Sequence, residues 1–441
     1  LIHAPSIKEK ESILFISSEQ MTGNGGLLQL VAVGKQDIFL TGNPQITWFK
    51  MVYRRYTSFA VESQALFFDG DPDFGKRLTC LVPRRGDLLG PLVLEVTLPP
   101  LTLTDGTPVS YVNAIGHALI EEITLEIGEQ EIDTQTGEWM ELWSNMTTTA
   151  TQRQGFNDMI GKVDDYIVPQ NFGPLKLYIP LRFWFCKNPG QYLPLLALQY
   201  HPIRINLKLR NLQDLFFSPS SSDSAVCDKL AVNTVKITDL RLFGDYVYLD
   251  VEERRRFVSN THEYLIEQVQ YTSQISIPIG ATSSTVRLEF NHPIRELLWF
   301  IQRSKMVSRH EYFNYSSTSI LESGARKDLL LDANLQLDGY DRFDKRDAGY
   351  FRLVQPYYHH TVVPNNLFIY NYCFALRPEE LQPSGSLNAS RIDSFVLQMN
   401  IAPDSTTGLT PPRENAYTRV YATNHNVLRI INGFGGLLFT I

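Results

Sequence analysis

Cysteine is scarce in this chain. The 441 residues hold four, at Cys80, Cys186, Cys227 and Cys373, with no CxxC pair. Neither a disulfide framework nor a zinc knuckle is expected, and a reducing compartment is the default. Long apolar runs are missing as well, since none reaches the ~18 residues of a membrane-crossing helix. Charge is thin, at 20% against a usual value of about 25%. It also lacks a basic excess: 40 Lys and Arg face 47 Asp and Glu, a net charge of −7. A surface that coats nucleic acid needs such an excess. No GxxxxGK[ST], HExxH or GxSxG pattern occurs, and each is the local signature of a reactive site. The paired carboxylates Glu121-Glu122 and Glu379-Glu380 read as solvated surface. Composition therefore excludes a coiled coil, a disordered chain and a membrane-spanning helix. It yields no catalytic set, no cofactor and no metal.

What is present is alternation. Leu92, Leu94, Val96 and Leu98 enclose polar or smaller residues. Ile203 to Leu209, Val286 to Phe290 and Phe395 to Ile401 repeat the scheme. Period two puts successive side chains on opposite faces, so each stretch reads as a strand with one wet and one buried face. The 24 prolines and 27 glycines fall mostly between these stretches, as turns and long loops do. Helical pattern is confined to 138–149 and 251–258. Residues 1–20 read as an upstream extension, with Met21 the expected start. The glycines at 23, 25, 26, 34 and 42 favour an irregular arm. The apolar C-terminus INGFGGLLFTI is expected to be tucked against a sandwich or a neighbour.

The two halves resemble each other. Phe185, Pro189, Pro194, Leu198, Ile203 and Leu207 recur 189 residues later as Phe374, Pro378, Pro383, Leu387, Ile392 and Val396. Leu119 and Leu125 recur 210 residues later as Leu329 and Leu335. Two ordered matches point to a tandem duplication. The expected boundaries are an N-terminal extension and arm (1–43), a first sandwich (44–250), a linker helix (251–261) and a second sandwich (262–441). A chain of this length can bury two such cores without staples, and a jelly roll suits the size of each half.

Several segments then carry a family resemblance. NPQITWFKMVYRRYTSFA (43–60), PRRGDLLGPLVLEV (83–96), LEIGEQEID (125–133) and PGQYLPLLALQYHPIRI (189–205) come first. DYVYLDVEERRRF (245–257), HEYLIEQVQYT (262–272), LDGYDRF (337–343), YFRLVQPY (350–357), QPSGSLNASRID (382–393) and NHNVLRIINGFGGL (424–437) follow in order. Together they resemble the major capsid proteins of nucleocytoplasmic large DNA viruses, those of algal and protist viruses above all. Residues 1–20 have no counterpart, and Arg85 stands where Asn is more usual.

The resemblance implies an all-β double jelly roll of two tandem eight-stranded sandwiches. It implies a structural role as a major capsid protein, with no enzyme activity. Three chains would form a pseudo-hexagonal capsomer, and neighbouring capsomers would tile an icosahedral shell over an inner membrane that the chain does not span. The virion would be assembled in the host cytoplasm. The N-terminal arm would meet minor capsid proteins beneath the shell, outer loops would face a host receptor, and nucleic acid would not be touched directly. A paralogous minor capsid protein and a jelly-roll glycan-binding module are the competing readings.

Individual motifs have duller readings beside the sharp ones. Arg85-Gly86-Asp87 spells a receptor tripeptide but reads as a strand-to-strand turn, with Gly86 taking a backbone angle other residues avoid. Trp48, Phe49, Arg54 and Arg55 mix aromatic and basic groups as single-strand nucleic-acid binders do. Their family position favours an anchor of the arm, with aromatics buried and arginines paired. The 252–256 charges read as a solvated helix face or a salt link between lobes. His359-His360 reads as packing: no carboxylate or Cys stands at local ligand spacing, and adjacent residues on a strand face opposite ways. Asn314, Asn145 and Asn388 begin glycosylation sequons, with Asn314 favoured by its Ser/Thr-rich surroundings. Segments 209–233 and 303–327 are expected to be loop towers or rim contacts.

Overall fold

The structure is a computed structural model that describes residues 25–45, 48–49, 51–101, 109–163, 173–217, 235–322, 324–402 and 414–440. The extension 1–20, Met21, Cys227 and most of the 209–233 segment lie outside the described residues.

The chain divides into two units between Tyr56 and Thr57, just ahead of the first strand. The N-terminal unit is not the irregular arm its glycines suggested. It carries two short helices, α1 (Gly25–Val31) and α2 (Lys35–Thr41). Gly25 and Gly26 open α1, and Gly34 and Gly42 flank α2: the Gly34 N–H donates to the Asp37 carboxylate at 2.7 Å, and the Gly42 N–H to the Ile38 carbonyl at 2.8 Å. Neither helix has a buried residue.

From Phe59 onward the chain builds two sandwiches. In the first, one sheet runs in the order β1 (Phe59–Leu66), β11 (Asp239–Leu249), β3 (Leu88–Leu98), β7 (Leu175–Pro180), with β8 (Leu193–Pro194) also on β3. Its second sheet runs β2 (Arg77–Leu81), β9 (Ile203–Leu209), β5 (Ile120–Ile127), β6 (Gln130–Thr136). The small pair β4 (Ser110–Tyr111) and β10 (Phe216–Phe217) closes one end. In the second sandwich the first sheet runs β12 (His262–Tyr271), β22 (Ala416–Ile431), β15 (Pro293–Arg303), β19 (Ile369–Cys373). Short strands β13 (Ile275–Ile277), β20 (Leu387–Asn388) and β23 (Phe434–Leu437) extend it. The other sheet runs β14 (Ser283–Arg287), β21 (Phe395–Ile401), β16 (Leu330–Leu337), β17 (Tyr340–Asp341), with β18 (Arg346–Asp347) on β16.

Both sandwiches thus trace the same path. The first strand lies beside the last long one, and two four-strand paths face each other, with short extra strands added. This is a double jelly roll, antiparallel throughout the described pairings. Even the irregularities repeat. Pairing of β5 with β9 skips between Ile120 and Glu122, and pairing of β16 with β21 skips between Leu330 and Asp332. A bulge at the same place in two sheets is what a duplicated unit leaves behind.

The duplication also corrects the sequence match. The 210-residue offset holds, since Ile120 and Leu330 occupy the same position. The 189-residue offset does not: Leu209 faces Ile120 as Ile401 faces Leu330, so β9 and β21 are 192 residues apart. Apolar positions recur every second residue in both strands, with identical alternating burial. A slip of three inverts that alternation, so the apolar matches came from Val396, an apolar residue on the wet face of β21, and from Ile392, which precedes the strand.

Two cores fill the sandwiches. Leu92, Leu94, Val96, Ile205 and Leu207 belong to the first, and Leu297, Trp299, Ile301, Leu397 and Met399 to the second. The linker expected at 251–261 forms helix α6 (Val251–Ser259), begun by Asp250, whose carboxylate accepts the Val251 N–H at 2.7 Å.

Candidate functional site

The two sandwiches meet over a third apolar cluster. After the short helix α3 (Ile115–Leu119), helix α4 (Gly137–Thr147) starts where β6 ends, and Thr136 caps it by accepting the Trp139 N–H at 3.2 Å. Gly137 opens this helix because a Cβ there would sit 2.0 Å from the His117 carbonyl oxygen. The helix carries Trp139, Leu142, Trp143 and Met146 into a cluster with Leu298, Phe300, Tyr315 and Tyr421 of the second sandwich. Leu298 and Phe300 alternate with the core residues Leu297, Trp299 and Ile301. Strand β15 is therefore buried on both faces, and its sequence reads as a continuous apolar run instead of an alternating one. A second helix, α5 (Ala150–Ile160), follows α4 and was not legible in the sequence, being polar with an internal glycine. Burial of each large side chain in such a cluster is worth roughly 1.5–3 kcal/mol.

Polar groups ring this junction. The Tyr421 hydroxyl lies 2.9 Å from both Thr136 Oγ1 and the Glu138 carboxylate, and Arg419 reaches Glu138 at 2.6 Å. Asp133 accepts the Val269 N–H at 3.0 Å, and Gln135 donates to it at 2.8 Å. Burial raises the Asp133 carboxyl to about 7 despite these donors. Glu267 is bridged by Lys187 of the first sandwich and, at 2.7 Å, by Arg295 of the second. Burial alone would raise its pKa, but the two cations outweigh it and hold the group near 2. The C-terminal hairpin is tucked onto the first sandwich: the Tyr200 N–H donates to the Gly433 carbonyl at 3.0 Å, and Tyr200 stacks on Phe434.

The sequence motifs fall as follows. Asp87 of the RGD turn is buried, accepts the Leu249 N–H at 2.7 Å and pairs with Arg254 of α6 at 3.2 Å. It is not displayed to a receptor. Gly86 does not take the left-handed angle expected of it. Glycine is needed instead because a Cβ would meet Tyr246 at 2.9 Å. One of the three helix arginines thus ties α6 to the first sandwich, while Arg255 pairs with exposed Glu252. Trp48 and Phe49 are 92% and 99% exposed, and Arg54 and Arg55 are exposed too.

Among the sequons, the favoured Asn314 is not the most exposed. Asn145 is buried, its amide donating to Glu141 and accepting from Lys162. Asn314 is half-buried, with its amide nitrogen bonded to Glu311 at 2.6 Å and the Thr318 carbonyl at 3.1 Å. Asn388 is exposed. The 303–327 segment is not a solvent-facing tower, because Tyr315, Ser316 and Ser319 within it are buried.

The histidine pair is the largest departure. His359 and His360 lie at the end of a short helix (Gln355–His359), not on a strand. The His360 ring is fully buried between Glu296 (Nε2 to Oε2, 2.9 Å) and Glu379 (Nδ1 to Oε1, 2.9 Å). Burial would lower its pKa, but Glu296 and the bonds to Cys373 and Glu379 outweigh it and raise it well above the usual range. Cys373 stands directly across β15–β19 from Glu296, and burial pushes its thiol up to about 11. Local ligand spacing cannot reveal this cluster. Only the strand register brings residues 296, 360 and 373 together.

Comparison with known proteins gives two family matches. Residues 47–250 match "Major capsid protein N-terminus", and residues 253–436 match "Large eukaryotic DNA virus major capsid protein". The chain is 39% identical to a major capsid protein of Pyramimonas orientalis virus, over 94% of this chain and 99% of that one. It is 36% identical to that of Phaeocystis pouchetii virus, with the same coverage. Among solved structures it is similar to the chain of the "PBCV-1 virus capsid, quasi-atomic model". The TM-score is 0.74 at 30% identity, covering 90% of this chain and 100% of that one.

Proposed function

Because the chain belongs to the major capsid protein family of large eukaryotic DNA viruses, we propose that it acts as a homotrimer, the pseudo-hexagonal capsomer of an icosahedral shell. It is a structural component of the virion capsid, in a family of structural proteins and not of enzymes. One observation carries the trimer: two sandwiches of the same strand order are joined through a shared apolar cluster. Three such bodies present six similar lobes around a threefold axis, the outline that tiles a surface with sixfold packing. A closed ring of identical subunits is the ordinary form of oligomer.

Apolar surface is available for the contacts. Tyr357, Tyr358 and Leu376 are 71%, 72% and 70% exposed, and the His359 ring nitrogen bonded to the Leu376 carbonyl at 2.9 Å brings them together. Exposed aromatic groups of this kind anchor protein interfaces. In the N-terminal unit, Leu28, Leu30, Phe39, Leu40, Trp48 and Phe49 are all exposed. That supports an arm that is covered by other shell proteins, minor capsid proteins among them, on the inner face and next to the membrane. Outer loops are left to meet a receptor, and assembly takes place in the host cytoplasm. Asn388 is the sequon open to glycosylation.

Light scattering on the purified chain tests this reading. The expected mass is three times the 50.4 kDa of one chain. A monomer across the accessible concentration range would overturn it.

A further inference from the structure

The buried cluster at the lobe junction has the composition of a metal site. Glu296 Oε2, His360 Nε2 and Cys373 Sγ all lie within 4.8 Å of one another. The separations are 2.9 Å from oxygen to nitrogen, 3.9 Å from sulfur to oxygen and 3.8 Å from sulfur to nitrogen. Ligands held at zinc distances of about 2.0–2.3 Å in a tetrahedron stand roughly 3.3–3.6 Å apart. An ion would fit between these three atoms with shifts of a few tenths of an ångström. Buried Asn371 lies beside them, with its amide nitrogen 3.0 Å from Glu296 Oε2 and 3.1 Å from His360 Nε2 and its carbonyl 2.9 Å from the thiol; a turn of this amide would offer the carbonyl as a fourth donor.

The surrounding residues orient the three ligands as metal ligands are oriented. His360 Nδ1 is bonded to the Glu379 carboxylate, which fixes the ring and turns Nε2 toward Glu296 and Cys373. A carboxylate behind a ligating histidine is a recurrent outer-shell partner. The second oxygen of Glu296 accepts from Thr423 at 3.1 Å, and the backbone N–H of Cys373 donates to Gln355 at 3.0 Å. Trp143 of α4 lies edge-on to His360, with ring centroids 6.1 Å apart, and walls the cluster from the first sandwich. Charge also balances: a dication with one carboxylate, one thiolate and one neutral imidazole sums to zero, the state that a sealed site favours.

We propose that Glu296, His360 and Cys373 bind a divalent transition-metal ion, zinc by the softness of the donor set, that clamps β15, β19 and the 355–360 turn beneath helix α4. The thiol of Cys373 and the Nε2 of protonated His360 each release one proton as the ion enters. Sulfur and imidazole donors select a borderline ion such as zinc over magnesium or calcium. The inference concerns the second sandwich alone and does not rest on the trimer.

Cobalt(II), an optical stand-in for zinc, tests it on the full chain after dialysis against a chelator. One equivalent per chain is expected to bind and to produce a thiolate-to-cobalt charge-transfer band. The band is expected to vanish in Cys373→Ser and to persist in Cys80→Ser, whose thiol is buried in the first sandwich. Absence of the band in the unaltered chain, or its persistence in Cys373→Ser, overturns the proposal. Should Cys373→Ser not fold, Glu379→Gln leaves all three ligands in place. It is expected to weaken cobalt binding about 10–100-fold, and unchanged affinity would count against the site.

Discussion

Asp133 shows how one residue links the two sandwiches to pH. Its carboxyl accepts a backbone N–H from β12 yet is buried deeply enough to titrate near 7, against about 3.9 in an unfolded chain. A folded-state pKa raised in this way adds stability that is fully present below the unfolded value and lost as pH rises through the folded one. The wild-type chain is therefore expected to lose stability relative to Asp133→Asn between about pH 4 and pH 7, followed by urea denaturation at several pH values. His425, held down to about 4 by burial, acts in the opposite sense over the same range. Comparing variant with wild type cancels it. Asp87 gives a second contrast. Arg254 is half-exposed, so Arg254→Ala should cost at most about 1 kcal/mol. Asp87→Ala strips the Leu249 N–H of its acceptor and should cost about 1–3 kcal/mol, read from the same denaturation curves. The sequence placed a turn at 85–87 but could not show that its aspartate is turned inward toward β11 and α6.

At the scale of elements, legibility followed solvent. Strands with one wet face, β9 and β21 above all, were readable residue by residue, because water on one side enforces alternation. Strand β15 lost that signal when helix α4 covered its outer face. Helix α5 never had it, being held by its neighbours and not by an apolar stripe of its own. The duplication was legible as a fact but slipped in register, since loops of unequal length separate the strands and the match rested on scattered apolar residues, the outward-facing Val396 among them. The cluster at Glu296, His360 and Cys373 was invisible for the same reason: its members meet only once the strands are paired. Helix α4 is the element on which the junction turns. Trp143→Ala removes a buried indole at the centre of the third cluster and should cost about 3–5 kcal/mol. Loss of cooperativity between the sandwiches in calorimetry would accompany it. A change below 1 kcal/mol would mean that the sandwiches are held by their polar ring instead.

The whole molecule was the most legible level, because ordered segments along nearly the whole chain carried the family resemblance together. The low charge and high aromatic content fit a chain with three apolar clusters and further exposed apolar surface on both of its units. What the sequence could not supply was the burial of individual side chains, which left the favoured sequon Asn314 half-buried and drew His360 inward. The central claim is that one sandwich used twice, in three copies, makes a pseudo-sixfold building block. Electron cryomicroscopy of the purified protein tests it most directly. The account predicts particles with six sandwich-sized lobes related by threefold symmetry and built from three chains. Isolated two-lobed particles, or a ring with any number of chains other than three, would contradict it.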